Sequence, residues 1–261
     1  MMTMRTSFFL ALLLSLQLSG QVPIATSTGE LIKELRSGKE RSDVIQELGK
    51  RIDEPMALEA LENSFRAGDK IRKKQVALAI SPVMRLKDWM YQEVESYAAR
   101  AIRSDVPAMN YLDSGGQPIR GVLTPEFETW CQDQHPATDC VALVTYTFIP
   151  DILTLGALRD PRSIPLLREG LQVKNLQIVF VSAAALSGVP DGGVIDDIVK
   201  VSRDARLSLP TRELVRKMLA NIDAEDAPVR LRLLLDGDAY NKYLKERAEI
   251  MELRAKRGLQ K

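Results

Sequence analysis

The sequence predicts an all-α protein: an α-solenoid of about five to six helical hairpins, with one disulfide-containing loop insertion. The main observation is an internal repeat. The segments that start at Leu155 and Leu186 align at a constant offset of 31 residues, which places Asp160 on Asp191. A period of that size is typical of stacked helical repeats. Aromatic residues make up only 5% of the chain, which suits stacked helices because they need slim side chains between them.

Each repeat unit is predicted to contain a turn, a first helix and a second, Ala-rich helix. In the central unit the first helix runs from Pro161 to Leu171, and Asp160 before it can accept hydrogen bonds from the free amides. Its apolar residues recur at helical spacing and form one buried stripe. The run Ala183–Ala185 on the second helix allows a neighbouring helix to approach closely. We therefore expect Ala184→Leu to destabilise the protein more than Gln177→Leu does.

The central repeat resembles a known family in several short motifs. Leu155-Gly156, Asp160-Pro161-Arg162 and Ile164-Pro165 match the first half of its unit, and Ser182-Ala183 through Leu186 match the second. These motifs are similar to the HEAT-like repeats of the phycobilisome-lyase type, LG-x-L-x-DPR-x-IP-x-L followed by VR-x-x-AA-x-AL. Val179 departs from the family, which usually has Arg there. The resemblance implies stacked helical hairpins, structural roles for the seam Asp and the helix Arg, and bilin attachment as an alternative activity.

Seam residues equivalent to Leu155 recur at intervals of 31, 76, 31 and 33 residues: Leu48, Ala79, Leu155, Leu186 and Leu219. One interval is too long for a single repeat and leaves about 40 extra residues. Composition places these extra residues at Ser104–Cys140, a stretch rich in Pro and Gly. Insertions in solenoids project from one face, which is often the binding face. Function is therefore expected in this insertion.

Caps and apolar periodicity predict the remaining helices. On the N-terminal side these are Glu30–Arg36, Ser42–Lys50, Met56–Phe65, Lys70–Ile80 and a helix that Ser81-Pro82 caps and that runs towards Ile102. On the C-terminal side they are Thr211–Asn221, Ala227–Leu235 and residues 238–258, the last of which is predicted to cap the solenoid. The stretch Val141–Leu158 is strongly apolar, but Pro150-Asp151 is predicted to break it into a buried helix and a second, short helix. No membrane span is expected there.

Residues 1–20 have the pattern of a secretory signal peptide. Arg5 precedes an apolar run, Phe8–Leu18, and the small residues Ser19-Gly20 follow it. The run is about 11 residues long, short of the roughly 20 that a bilayer requires, so we expect cleavage near its end. The mature chain, residues 21–261, is then predicted to be periplasmic or secreted, with no stable membrane span after cleavage.

Cys131 and Cys140, the only cysteines, are predicted to form a disulfide within the insertion. Eight residues separate them, and disulfides are favoured in exported proteins. On the chain-entropy view, closing so small a loop stabilises it by roughly 2–3 kcal/mol. A redox pair is disfavoured because the spacing is far from C-x-x-C.

Phe127, Trp130 and His135 are the candidate protein-binding residues of the insertion. A cross-linked loop would present both aromatic rings as anchors beside a concave groove; alternatively, the rings fasten the loop to its own solenoid. His135 is the only histidine and lies among acidic residues, so a metal-binding loop is a further alternative, although no ligand pair has helical spacing. Deletion of Ser104–Cys140 is expected to leave helicity and melting largely intact.

A second candidate surface lies at Lys70–Lys74, where four of the five residues are basic. Arg72 and Lys73 are its candidate protein-binding residues, suited to acidic protein segments or phosphates. The solvated start of a helix is the alternative interpretation. The formal net charge of +1 provides no overall field that favours nucleic acid.

Together these features predict a non-enzymatic protein–protein interaction scaffold or assembly factor of the cell envelope. Its expected partner is another protein, and no cofactor or metal is expected. One alternative is a lyase-like enzyme of the bilin-lyase type, which the family resemblance implies. Such lyases act on cytoplasmic phycobiliproteins, which conflicts with the export signal. A metal-binding loop protein is the other alternative.

Overall fold

The computed structural model describes three stretches of the chain: residues 26–37, 42–112 and 118–256. The predicted signal peptide, residues 1–20, lies outside these described residues. Contacts divide the chain into two compact units, Met1–Val94 and Glu95–Lys261. Helices predominate in the described part of both units, which confirms the prediction of a mainly helical protein.

The described part of the first unit consists of helices: α1 Thr28–Arg36, α2 Ser42–Lys50, α3 Pro55–Ala67, α4 Lys70–Ile80 and the start of α5 Asp88–Arg103. A capping box starts α1, in which the Ser27 side chain accepts from the Glu30 amide and the Glu30 carboxylate accepts from the Ser27 amide. Helices α2 and α4 touch at Gly49, where a Cβ would lie 2.6 Å from the Ala79 carbonyl oxygen. The predicted seam at Leu48 and Ala79 is therefore a close helix contact.

The second unit continues from α5 into a two-stranded hairpin and a series of helices. The strands are β1 Asn110–Leu112 and β2 Pro118–Leu123. The helices are α6 Pro125–Gln134, α7 Cys140–Leu143, α8 Ile149–Ala157, α9 Ile164–Gly170, α10 Leu176–Gly188, α11 Ile195–Ser202, α12 Leu209–Met218, α13 Ala227–Leu234 and α14 Gly237–Lys256. Short 3-10 turns precede α9 and α11 and follow α12.

Alternate helices of the second unit pack against each other: α8 contacts α10, and α10 contacts α12. Leu155 and Leu186 occupy equivalent, fully buried positions near the ends of α8 and α10. The backbones approach closely at Gly156, where a Cβ would overlap the carbonyl oxygen of Ala185. The 31-residue offset therefore corresponds to a helix contact that needs a residue without a side chain.

The seam aspartates close tight turns ahead of α9 and α11. Asp160 accepts a hydrogen bond from the Arg162 amide at 3.0 Å, and Asp191 accepts one from the Gly193 amide at 2.6 Å. Both turns are short 3-10 segments, so α9 begins at Ile164, three residues later than predicted. The aspartates satisfy turn amides that lack a partner within the helix.

The predicted loop insertion, Ser104–Cys140, contains regular structure. Strands β1 and β2 pair antiparallel, with Asn110 opposite Leu123, and α6 follows directly. Thr124 caps α6 by accepting from the Phe127 amide at 3.2 Å, and a proline stands in the first turn. The predicted loop insertion therefore includes a short hairpin and a helix, because Pro118 begins a strand and Thr124 caps the helix that follows.

The insertion also contributes to the core of the second unit. Five of its apolar side chains are buried: Val106, Met109, Leu123, Phe127 and Cys131. Removing them would expose the apolar surface that they cover, which costs roughly 25 cal/mol per Å². We therefore no longer expect deletion of the insertion to leave the fold intact. Substitutions of its surface residues are the appropriate tests of function.

The apolar stretch after the insertion is one continuous helix rather than two. Between α7 and α8 lies a π-helical turn, Val144–Phe148, and Pro150 follows within α8. Proline lacks an amide and its ring crowds the carbonyl four residues back, and a π turn relieves this crowding by shifting the hydrogen bonds to the fifth residue. The predicted break at Pro150 is therefore absent.

This continuous helix, Cys140–Ala157, is long and apolar enough to cross a membrane by length and composition. Its mean hydropathy is 1.6, and half of it is buried inside the protein. A helix in the core of a globular domain has the same properties, so this feature is weak evidence for a membrane span.

The C-terminal helix α14 is fastened to the turn that follows α12. Arg247 donates to the carbonyl oxygens of Ile222 at 2.6 Å and Ala224 at 3.4 Å. Tyr243 is buried on the same helix. These contacts agree with the predicted capping helix, residues 238–258, of which residues 257 and 258 lie beyond the described part.

Candidate protein-binding surface

The insertion is attached to the repeats at the start of α10. Asn175 caps this helix by accepting from the Gln177 amide at 2.9 Å. Its side-chain amide donates to the carbonyl oxygens of Val106 at 3.2 Å and Pro107 at 2.6 Å. One buried side chain therefore caps a repeat helix and holds the beginning of the insertion.

Gln177 continues this attachment one residue further along α10. Its side-chain oxygen accepts from the amides of Met109 at 2.8 Å and Asn110 at 3.2 Å. Asn110 in turn donates to the Val122 carbonyl oxygen at 3.2 Å, across the hairpin. Gln177 is buried, so Gln177→Leu is not the mild control substitution that the sequence suggests.

The two cysteines lie where they can close the far end of the insertion. The sulfur atoms of Cys131 and Cys140 are 2.13 Å apart, and their Cα atoms are 6.0 Å apart. Cys131 lies in the last turn of α6 and Cys140 begins α7. The pair therefore lies at disulfide distance, as the spacing predicts.

The predicted aromatic anchors form a cluster with the π turn. The Trp130 ring lies 5.6 Å from the Phe127 ring, 5.5 Å from His135 and 5.8 Å from Phe148, between centroids. Phe127 is fully buried, so it fastens α6 to the core and does not serve as a surface anchor in this structure. Trp130 and His135 are only half-buried and keep part of their rings at the surface.

His135 packs among aromatic rings rather than among ligands. Its ring lies 6.4 Å from that of Phe148, in addition to the Trp130 contact. Among the described residues no three His, Cys, Asp or Glu side chains come together as a group that could hold a metal ion. The structure therefore gives no support to the metal-binding alternative.

The basic residues of the other candidate surface are engaged within the first unit. Lys73 Nζ lies 2.8 Å from a Glu93 carboxylate oxygen and 5.9 Å from the Phe65 ring centroid. Lys74 is buried, and the amide of half-buried Arg72 bonds the capping Asp69 at 2.9 Å. These residues therefore contribute mainly to packing and capping at the start of α4, and less to an exposed basic surface.

Exposed and partly exposed residues of α6 and of the helix that follows it make up a further candidate surface, which we call the insertion face. We define it by five exposed or half-exposed residues: Glu126, Trp130, Asp133, Val141 and Tyr146. Tyr146, on the π turn, is 69% exposed. The Trp130 and Phe148 rings are in contact, and the two sulfur atoms lie at disulfide distance. These two helices are therefore neighbours at the surface.

The acidic residues of the insertion face differ from those of the repeats. In the described part of the chain Glu126 and Asp133 take part in no ion pair. On the repeat helices, by contrast, Asp197 pairs with Arg168 at 2.8 Å. None of the 38 residues from 121 to 158 is Lys or Arg, whereas about one residue in seven of the whole chain is. This gap in basic residues is a signal that the sequence alone contains.

Two other surfaces of the second unit compete with the insertion face. A cavity of about 350 Å³ lies beside Asp105, Lys174 and an Arg103–Glu169 pair whose two hydrogen bonds are 2.8 and 3.0 Å long. These bonds to Arg103 lower the pKa of Glu169, so the carboxylate is held ionised and is poorly suited to act as a base. Leu233 on α13 is 84% exposed, but isolated exposed apolar residues are common on soluble proteins.

Comparison with protein-family models and with curated proteins finds no match for this chain. The similarity to HEAT-like repeats therefore depends on the sequence motifs and stays a prediction.

Proposed function

We propose that the protein is an exported, non-enzymatic scaffold or assembly factor that binds another protein through the insertion face. The observation that carries this proposal is the combination of exposed Tyr146 on the π turn with partly exposed Trp130 and with acidic residues of α6 that form no ion pair within the described part of the chain. Aromatic residues are enriched at protein–protein contacts, where they contribute a large share of the binding energy.

In this proposal a HEAT-like α-solenoid serves as the scaffold. The equivalent burial of Leu155 and Leu186 and the alternate contacts α8–α10–α12 support a repeated unit. The Asn175 and Gln177 bonds give the insertion a fixed position on that unit. Stacked repeats with one ordered insertion are a common way to present a binding surface.

A Cys131–Cys140 disulfide and export belong to the same proposal. The sulfur separation of 2.13 Å supports the bond, and disulfides persist in oxidising compartments, to which residues 1–20 would direct the chain. Alkylation of the purified, unfolded, unreduced protein should modify neither cysteine. Modification of both would show that the pair is reduced.

The test compares two exposed apolar residues of the second unit. Tyr146 is 69% and Leu209 is 65% exposed, so aspartate at either position should be tolerated by the fold. A tagged protein expressed in its own cells should lose its co-purifying partner with Tyr146→Asp and keep it with Leu209→Asp. A partner that remains with Tyr146→Asp, or is lost equally with both variants, would contradict the proposal.

A further inference from the structure

We infer that the insertion face binds a positively charged, amphipathic segment of its partner, with a Lys or Arg side chain of that segment against Trp130 and between Glu126 and Asp133. This inference rests on the proposed protein-binding function and names the chemistry of the partner. It follows from the spacing, the charge and the helix position of these three residues.

The three residues share one side of α6. Glu126 lies four positions before Trp130 and Asp133 three positions after it, and residues so spaced are neighbours on a helix surface. Both acidic residues are exposed, and Trp130 is partly exposed. Contacts with the three neighbouring rings of the cluster hold the Trp130 ring in place. The geometry therefore presents an aromatic ring flanked by negative charges.

This arrangement suits a cation better than any other group. A Lys or Arg head group over an exposed Trp ring gains about 0.5–1 kcal/mol, and a nearby carboxylate adds a comparable Coulomb attraction. The absence of Lys and Arg from residues 121–158 means that no Lys or Arg of this segment competes for the site, and the nearest basic residue is His135, whose ring contacts that of Trp130. The long-range field of the face also attracts a positive partner.

Exposed apolar residues on the helix that follows α6 define the rest of the partner segment. Val141 and Tyr146 are exposed on the helix that the Trp130–Phe148 contact joins to α6. An amphipathic helix, with apolar residues on one side and Lys or Arg along its edge, presents both kinds of group at once. A purely basic segment would leave Tyr146 without a partner.

Folding alone does not account for Asp133. Glu126 and Glu128 stand in the first turn of α6, where a negative charge stabilises the helix dipole. Asp133 stands in the last turn, where the same charge is unfavourable and no basic residue is present. An acid at a position that weakens its own helix indicates a use outside the helix.

The experiment uses a synthetic amphipathic peptide of about 18 residues, five helical turns, with Leu on one face and Lys along its edges. The chain has two tryptophans, so Trp89→Phe in the full mature protein leaves Trp130 as the fluorescent reporter. Titration should give a saturable change in Trp130 emission that weakens between about 50 and 300 mM salt. A peptide with Gln in place of every Lys should bind much more weakly.

Matched variants test the location. Glu126→Gln and Asp133→Asn should each raise the Kd for the peptide about threefold. Trp130→Leu removes the fluorescent reporter, so its binding is measured by calorimetry, and its Kd should rise about fivefold. Glu128→Gln removes the same charge from a different side of α6 and should change the Kd by well under twofold. Equal binding of the Gln peptide, or equal effects of Glu128→Gln and Asp133→Asn, would overturn the inference.

The experiments distinguish a failure of the cationic-partner inference from a failure of the proposed protein-binding function. If the peptide fails to bind while Tyr146→Asp still abolishes co-purification of the natural partner, the proposed function stands and the cationic partner is wrong. If peptide binding and partner co-purification are both insensitive to changes in the insertion face, both proposals are wrong.

Discussion

The acidic residues of the repeat helices and those of the insertion face differ in whether they form ion pairs within the described part of the second unit. Asp196 and Asp197 of α11 pair with Arg230 of α13 at 2.6 Å and Arg168 of α9 at 2.8 Å. Both bonds join neighbouring hairpins, so the acids serve the stack. The acids of the insertion face have no such bond within the described residues, and one of them opposes its helix dipole. The acids of α11 thus take part in packing between helices, whereas those of the insertion face are available for the proposed contact with another molecule.

The largest expected effect comes from disrupting the close contact between helices α8 and α10 at Gly156. Gly156→Ala places a Cβ on the carbonyl oxygen of Ala185 and should force α8 and α10 apart. We expect a loss of about 3 kcal/mol in the free energy of unfolding, measured by urea denaturation. Gly237→Ala is the control, because nothing lies within 4 Å of its added Cβ. Equal small losses for both would show that the helix contact is not close.

The next effect separates the two regions at their junction. Gln177→Ala leaves the buried amides of Met109 and Asn110 without their partner and should cost about 2 kcal/mol. Exposed Gln172 provides the control Gln172→Ala, which should be nearly neutral.

Hydrogen exchange locates the damage from this variant. Exchange should accelerate in residues 106–124 and remain slow in α11 and α12. Uniform acceleration through the second unit would mean that the insertion and the repeat helices unfold together and do not differ in local stability.

The smallest effect compares one acid from each region. Asp197→Asn removes half of the Arg168 pair, which is partly exposed, and should cost about 0.5 kcal/mol. Asp133→Asn removes a charge that is unfavourable at the C-terminal end of α6, and should stabilise by a few tenths of a kcal/mol. Thermal melts at low salt resolve the sign. A destabilising Asp133→Asn would give that carboxylate a structural role and weaken the case for partner binding.

Local patterns in the sequence were enough to predict much of the scaffold. The helices, the equivalence of Leu155 and Leu186, and the closeness of Cys131 to Cys140 follow from periodicity, caps and spacing, which act over a few residues. The start of α6 was also readable, since Thr124-Pro125 is a cap followed by a first-turn proline.

Features that depend on distant contacts could not be predicted in the same way. The burial of Phe127 and the bonds of Gln177 to β1 involve residues far apart in the chain. The helix stays continuous through Pro150 because a π turn precedes the proline, and neither periodicity nor caps predict such a turn. For the insertion face, the sequence alone shows the lack of Lys and Arg, whereas the exposure of its residues follows only from the fold.

The central claim is that partner contact is made by the insertion face and not by the repeats. The most direct test places a photo-crosslinking amino acid at one exposed position at a time, in the protein's own cells: Tyr146 on the insertion face, and Leu209, Val229 and Leu233 on the repeats. All four side chains are well exposed, so access to the probe is similar. The account predicts one discrete adduct from Tyr146 and none from the three repeat positions. An adduct from Leu209, Val229 or Leu233, with none from Tyr146, would contradict it.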